Sequence, residues 1–163
     1  MMRVRRTKKE DLGTVMPLYA HARDFMVRTG NPDQWVNGYP SEVDIMRDIN
    51  SNCHYVIEHE SGEIVGAFMF RIGHDATYDV IERGSWLNDD EYGVVHRLVS
   101  SGKYGRISDV CFDYCFSKIN NMRVDTHQEN KVMQQALMRY GFIYCGIIYC
   151  HNGTPRLAFQ KYL

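Results

Sequence analysis

The stretch from Tyr92 to Ile119 most constrains what this chain can fold into. Tyr92–Val99 is apolar and rich in β-branched residues, the pattern of a buried strand. Ser100–Ser108 is small and basic, with Gly102 and Gly105 beside Lys103 and Arg106. From Val110 to Ile119, the residues Val110, Phe112, Tyr114, Cys115, Phe116 and Ile119 recur at helical spacing. Strand, basic glycine turn and helix in succession can hold a phosphate. The N–H groups of the turn converge on one point, and the helix N-terminus adds the positive end of its dipole. Lys103 and Arg106 bring mobile counter-charge. The stretch is a candidate site for a phosphorylated cofactor. An ordinary strand–helix connection with a solvated lysine and arginine has the same pattern.

With 163 residues, the chain can bury a sizeable core and is expected to form one domain over 1–163. A net charge of −1 disfavours nucleic acid as a partner. The basic cluster Arg3, Arg5, Arg6, Lys8 and Lys9 is explained by a solvated strand end. The cysteines Cys53, Cys111, Cys115, Cys145 and Cys150 are odd in number and lack zinc-site spacing, so no metal is expected. Free thiols in a reducing cytoplasm are the plain reading. No apolar run has the length of a signal peptide or a membrane span, so no membrane partner is expected.

In chain order, Arg3–Arg6 is a short first strand, and Thr7 with Glu10 forms a capping pattern for a helix over Lys9–Arg28. The turn-rich loop Asn31–Pro40 carries Trp35 and Tyr39, which either wall a substrate pocket or pack the helix pair. Ser41 caps a helix over Glu42–Asn50. Cys53–Glu58 and Glu63–Ile72 form a hairpin, with the second strand nearer the sheet centre because Ala67–Phe70 is continuously apolar. Gly73–Asp90 is a weakly patterned connection holding Asp75, Tyr78, Glu82 and Trp86. After the central stretch come a strand at Met122–Asp125 and a helix opened by Asn130 and closed by Gly141. The strands Phe142–Tyr149 and Arg156–Tyr162, joined through Asn152-Gly153, finish the chain. The order is β-α-α-β-β-β-α-β-α-β-β, with one βαβ crossover among antiparallel hairpins. The glycine turn then lies at the carboxyl end of its strand, where α/β sheets bind ligands.

This order, the basic glycine turn, Asn130 opening a helix and Tyr140-Gly141-Phe142 closing it resemble the GNAT superfamily of N-acetyltransferases. Gln34-Trp35 with Tyr39-Pro40, the segment Tyr92–Lys103, Arg123–Met133 and Gly141–Tyr149 resemble a bacterial subgroup of it. The resemblance covers essentially the whole chain. It implies an α/β (α+β) fold, a mixed and mainly antiparallel sheet of about seven strands flanked by four helices.

It also implies acetyl-CoA as co-substrate. The pyrophosphate would lie at the turn Lys103, Tyr104, Gly105, Arg106, Ile107 and Ser108, the pantetheine arm along Leu98, Val99 and Ser100, and Asn130 near that arm. An amine would attack the thioester directly, without a covalent enzyme intermediate. The sequence departs from the family pattern twice: Arg106 stands where glycine is usual, and Leu137 where many members carry a proton-donating tyrosine.

A group titrating near neutrality can take the proton of the amine. His96 on the central strand is the first candidate, with Glu82 and His127 behind it. Asp125 and His127 are a conceivable orienting pair, and helix capping by Thr126 is the plainer account of that segment. Trp35, Tyr39, Tyr78 and Trp86 are candidate walls of the acceptor pocket, some of them core. Cys145 has no cation beside it in sequence and is read as packing. Two functions compete: acetyl transfer to the amine of a small molecule or peptide, and a non-catalytic acyl-CoA-binding or regulatory module. A nucleoside triphosphate site is a poor third reading, because the turn lacks the Gly-Lys-Ser/Thr ending. A homodimer through the exposed edge of the last two strands is a further expectation.

Overall fold

The computed structural model describes residues 1–163. The strands are β1 (Met2–Arg6), β2 (His54–His59), β3 (Ile64–Ile72), β4 (Gly93–Ser100), β5 (Asn121–Thr126), β6 (Ile143–Tyr149) and β7 (Pro155–Tyr162). The helices are α1 (Leu12–Arg28), α2 (Glu42–Asn50), α3 (Ile107–Phe116) and α4 (Lys131–Tyr140). The element order and the mixed sheet are those read from the sequence. All strands join one 7-stranded sheet in the order β1-β2-β3-β4-β5-β7-β6.

Helices cover both faces of the sheet. On one, Phe68, Phe70, Val95, Met122 and Val124 pack against Cys111 and Phe112 of α3 and Leu137 of α4. On the other, Val56, Ala67 and Val99 pack against Val15 and Tyr19 of α1 and Ile45 and Ile49 of α2. Each fully buried large side chain, such as Phe112 or Leu137, contributes roughly 2–3 kcal/mol of transfer free energy.

Two features of the central strands set up the site. The pair β4–β5 is parallel, and its ladder holds only Gly93↔Met122 and Val94↔Arg123. Beyond Val94 the two strands part. In addition, β4 carries a bulge against β3, where Ala67 faces Val99 but Met69 faces His96. The extra residue falls at Arg97, whose φ of 57° is left-handed.

Several boundaries differ from those read in the sequence. Helix α3 begins at Ile107 rather than near Val110, because Arg106 is left-handed (φ 63°) and ends the turn there. Its buried stripe is Ile107, Cys111, Phe112 and Cys115. Gly66 on β3 allows that first turn to close, since a Cβ there would stand 2.8 Å from Ile107 Cγ2. Thr7 does not cap the first helix: its hydroxyl is buried against His54 Nδ1 at 2.6 Å. The backbone N–H of Lys8 instead donates to Asp11 at 2.7 Å, and a short 3₁₀ turn at Lys9–Asp11 precedes α1.

Candidate active site

The parting of β4 and β5 opens a cleft of about 1050 Å³. Its floor is the separated ends of the two strands, Val95–Ser100 and Val124–Thr126. Its walls are the first turns of α3 and α4, helix α1, the 34–39 loop, the 75–77 turn and the start of β7. The cleft exists because a parallel pair that stops after two ladder positions leaves facing main-chain edges without partners.

The bulge at one lip is held from behind by a directional chain of hydrogen bonds. Tyr19, fully buried, donates its hydroxyl to the carbonyl of Arg97 at 2.8 Å. The same oxygen must then accept from His54 Nε2, 2.9 Å away, so Nε2 carries the hydrogen. His54 Nδ1 is left as the acceptor for Thr7 Oγ1 at 2.6 Å. Burial pushes the His54 imidazole down to about 4, which keeps it neutral and the chain in this sense. The Arg97 side chain is clamped as well. Its Nε and Nη2 donate to the two oxygens of buried Asp48 at 2.8 and 2.9 Å, and Nη1 donates to Tyr39 Oη. A left-handed arginine costs about 1–2 kcal/mol, and these partners hold it in place.

The sequence-derived cofactor residues are distributed as follows. Leu98, Val99, Ser100, Tyr104, Arg106 and Ile107 line the cleft. Ser108 and Asn130 line it too. Lys103 and Gly105 do not. The Lys103 ammonium pairs with Glu63 on the outer side of the turn, and Gly105 faces open space, where a Cβ would meet nothing within 4 Å. The N–H groups of Tyr104 to Ser108 donate to no acceptor in the chain, as expected of a turn ending in a free helix N-terminus. Tyr104 stacks on His59 with ring centroids 4.4 Å apart. Asn130 caps α4 by accepting from Met133 N at 3.0 Å, and its Nδ2 donates to Gln34 Oε1 at 2.9 Å.

Of the candidate bases, His96 lines the cleft at the first positions where β4 and β5 no longer pair. Its Nε2 lies 3.0 Å from Asp75 Oδ2, and its Nδ1 lies 3.8 Å from Asp125 Oδ1. Burial alone would raise the Asp75 carboxyl. Hydrogen bonds from His96 and Thr77 outweigh it and hold the group well below the usual carboxylate range. An ionised Asp75 takes the hydrogen on His96 Nε2, which leaves Nδ1, on the side of Asp125, as the acceptor nitrogen of a residue that lines the cleft. Asp125 is steadied by Tyr78, which donates to Oδ1 at 2.6 Å.

Glu82 and His127 are placed elsewhere. Glu82 bridges to Ile147 on β6 through its main chain, and its carboxylate accepts from Tyr149 at 3.0 Å, away from the cleft. His127 does not line the cleft, and its Nδ1 accepts from Glu129 N at 3.0 Å. Among the aromatic walls, Trp35 and Tyr39 line the cleft. Tyr78 is buried beneath it, and Trp86 donates to the Tyr78 carbonyl at 2.9 Å while its ring covers Arg123 at 4.3 Å. Leu137, which the resemblance matches to the family's tyrosine position, is fully buried in the core. Asp75, Tyr19, His54, Asp48 and Gln34 were given no role at the site by the sequence; each acts through a partner more than 20 positions away. No group of three or more His, Cys, Asp or Glu side chains is arranged to hold a metal ion.

No family model matches the chain, and no curated protein sequence matches it. Solved structures do. The chain is similar to a GNAT-family acetyltransferase from Streptococcus agalactiae, with 32% identity, a TM-score of 0.90, and 99% of this chain and 95% of that one covered. It is also similar to a GNAT-family acetyltransferase from Listeria monocytogenes, with 23% identity, a TM-score of 0.72 and the same 99% and 95% coverage. The sheet that splits between β4 and β5 and the helix placement are thus those of the GNAT acetyltransferases. The chain belongs to that family, whose members generally use acetyl-CoA.

Proposed function

We propose that this protein moves the acetyl group of acetyl-CoA directly onto the primary amine of a small molecule or peptide. The observation that carries the reading is the Asp75–His96 pair at the mouth of the split between β4 and β5. A histidine whose far nitrogen is fixed by an ionised carboxylate presents one free lone pair to the cleft. That lone pair accepts the proton the amine gives up, and Asp75 and Asp125 flank the imidazolium that results.

The chain's own groups suit acetyl-CoA. The unpaired main-chain edge of Leu98–Ser100 can pair with the amides of the pantetheine arm in the manner of a missing strand. The free N–H groups of Tyr104–Ser108, the α3 N-terminus and the exposed Arg106 guanidinium suit the pyrophosphate. Acetyl-CoA supplies an activated thioester carbonyl. The residues of the cleft orient it, hold the amine beside His96 and take the proton. Leu137 offers no hydroxyl, so the thiolate departs without the acid many relatives place there. Five free thiols fit a reducing cytoplasm, and no helix is long and apolar enough to cross a membrane. The exposed β6 edge, with Ile143 and Tyr144 outward, offers a second copy a place to pair.

The test is release of free CoA over a broad panel of primary amines, with wild type and His96→Gln. Turnover that falls on the order of 10²-fold or more in the variant, with the acetyl-CoA KM little changed, supports the reading. No release above background with any amine would overturn it.

A further inference from the structure

Arg156, on β7, lines the cleft yet is only 6% exposed. Its Nη1 donates to Thr154 Oγ1 at 2.9 Å and to the Pro155 carbonyl at 3.0 Å, and its Nη2 donates to the Gln34 carbonyl at 3.2 Å. Every acceptor is neutral. The other deeply placed cleft arginine, Arg97, is neutralised by Asp48. Arg156 has no carboxylate within ion-pair reach. A guanidinium withdrawn from water without an anion is an unfavourable arrangement, and one that a bound anion relieves.

Gln34 supplies the second half of the corner. Its Oε1 accepts from Asn31 Nδ2 and Asn130 Nδ2, each at 2.9 Å. The direction is fixed by the cap of α4, since Asn130 Oδ1 is already the acceptor for Met133 N. Gln34 Nε2 is therefore a donor with no acceptor, on a side chain that lines the cleft. Arg156 bonds the main-chain carbonyl of Gln34, so the two residues meet at one corner of the cleft.

Their position relative to His96 follows from the register. Asp125 faces Ala158 across β5–β7, and Arg156 is two residues further along the same face of β7. A group bound at Arg156 thus sits roughly 7 Å along the strand from the level of Asp125 and His96. The lining of the same cleft includes the apolar side chains of Trp35, Met26 and Phe25.

We propose that Arg156 and Gln34 Nε2 dock a carboxylate of the acceptor, so that the substrate class is a compact amino acid whose amine reaches His96 and whose carboxylate reaches this corner. The guanidinium offers a planar fork that matches a carboxylate, and the amide adds a further donor. The assignment rests on the acetyl-transfer reading for its meaning, but it is tested by binding alone.

The experiment is calorimetric titration of the full chain with N-acetyl-L-leucine and with N-acetyl-L-leucinamide, an uncharged counterpart of the same shape. Wild type should bind the acid at least about tenfold tighter than the amide. Arg156→Gln should bind both alike, and Arg156→Lys should retain part of the preference. Gln34→Glu keeps an acceptor oxygen for Asn31 and Asn130 but fills the corner with an anion, so it should also lose the preference. It is the measurement that decides if Arg156→Gln does not fold, as read by thermal unfolding. Equal affinity for acid and amide in wild type, no binding of either, or a preference that survives both Arg156→Gln and Gln34→Glu would overturn the proposal. Turnover on amines without a carboxylate preference would leave acetyl transfer standing while removing this site. A carboxylate preference without turnover would do the reverse.

Discussion

Tyr19 donates its hydroxyl hydrogen to the main-chain carbonyl of Arg97 at 2.8 Å, from the middle of α1 to the bulge of β4. The phenol is fully buried and the residue it holds is the left-handed one. The bulge re-aims Leu98–Ser100 along the cleft, so a side chain remote from any substrate sets the direction of the lip that acetyl-CoA would lie against. Tyr19→Phe removes one hydroxyl and leaves two buried groups unpaired, His54 Nε2–H and the Arg97 carbonyl. The expected loss is about 1–3 kcal/mol in urea unfolding, together with a several-fold weaker affinity for acetyl-CoA by calorimetry. A loss of stability with unchanged affinity would mean that the bulge keeps its shape without Tyr19.

His54 makes the same chain sensitive to acid. Its imidazole is lowered from 6.5 to about 4 by burial. Between these values the unfolded chain binds a proton that the folded chain refuses, so stability falls as pH drops through this window. Above pH 6.5 both states are neutral at this site and the contribution is complete. Across the window the loss from His54 alone is roughly 3 kcal/mol. Urea unfolding at a series of pH values should show this slope in wild type, and His54→Gln, although less stable at neutral pH, should show a flatter one.

At the turn before α3, the loss of binding should not track the loss of stability. Arg106 is left-handed, with its guanidinium exposed and paired to Asp109 at 2.9 Å. Arg106→Gly removes the steric cost of that conformation but adds backbone entropy to the unfolded chain, so stability should stay within about 1 kcal/mol of wild type. Arg106→Ala keeps the steric cost and should be the less stable of the two. Both variants lose the cation and should bind acetyl-CoA on the order of tenfold more weakly, with a shallower salt dependence. Equal affinity in all three proteins would show that the main-chain N–H groups act without this side chain.

Much of this architecture was legible because it rests on local chemistry. The continuous run Ala67–Phe70 belongs to a central strand, and Ser41, Asn130 and Gly141 each end or begin a helix through bonds within a few residues. The cleft-forming elements could therefore be placed from the chain alone. What escaped depends on partners distant in sequence. Thr7 has the pattern of a helix cap, but His54, 47 positions on, takes its hydroxyl. Nothing in Arg97 announces a positive φ, which is stabilised by Asp48 and Tyr19 from two different helices. Glu82, Tyr78 and Trp86 share one weakly patterned connection, where aromatic and acidic residues serve a wall or a core equally well. The structure assigns Tyr78 and Trp86 to packing around Arg123 and Tyr92, and Glu82 to the edge strand β6. The partner of His96 comes from that same connection, 21 residues upstream, and no spacing rule would have named it.

Asp75 should decide how well His96 serves. The carboxylate accepts from Thr77 N at 3.0 Å, from Thr77 Oγ1 at 2.6 Å and from His96 Nε2 at 3.0 Å, so its position is fixed before any substrate arrives. In Asp75→Asn the amide has nearly the same shape but carries no charge. The imidazolium formed when His96 takes a proton loses a flanking anion, and an amide turned to offer N–H would favour the tautomer with its hydrogen on the wrong nitrogen. The expected result is a kcat lower by about 10²-fold or more, with the acetyl-CoA KM nearly unchanged, because the pantetheine and pyrophosphate contacts lie elsewhere. The same substitution has a second readout. Asp75 is held below its ordinary value of 3.8, so its stabilisation is complete above that value and is lost as pH falls further. Wild type should therefore lose stability more steeply than Asp75→Asn below about pH 4. A variant with the shallower acid limb but an intact kcat would place Asp75 in the framework of the fold and leave His96 to act without it.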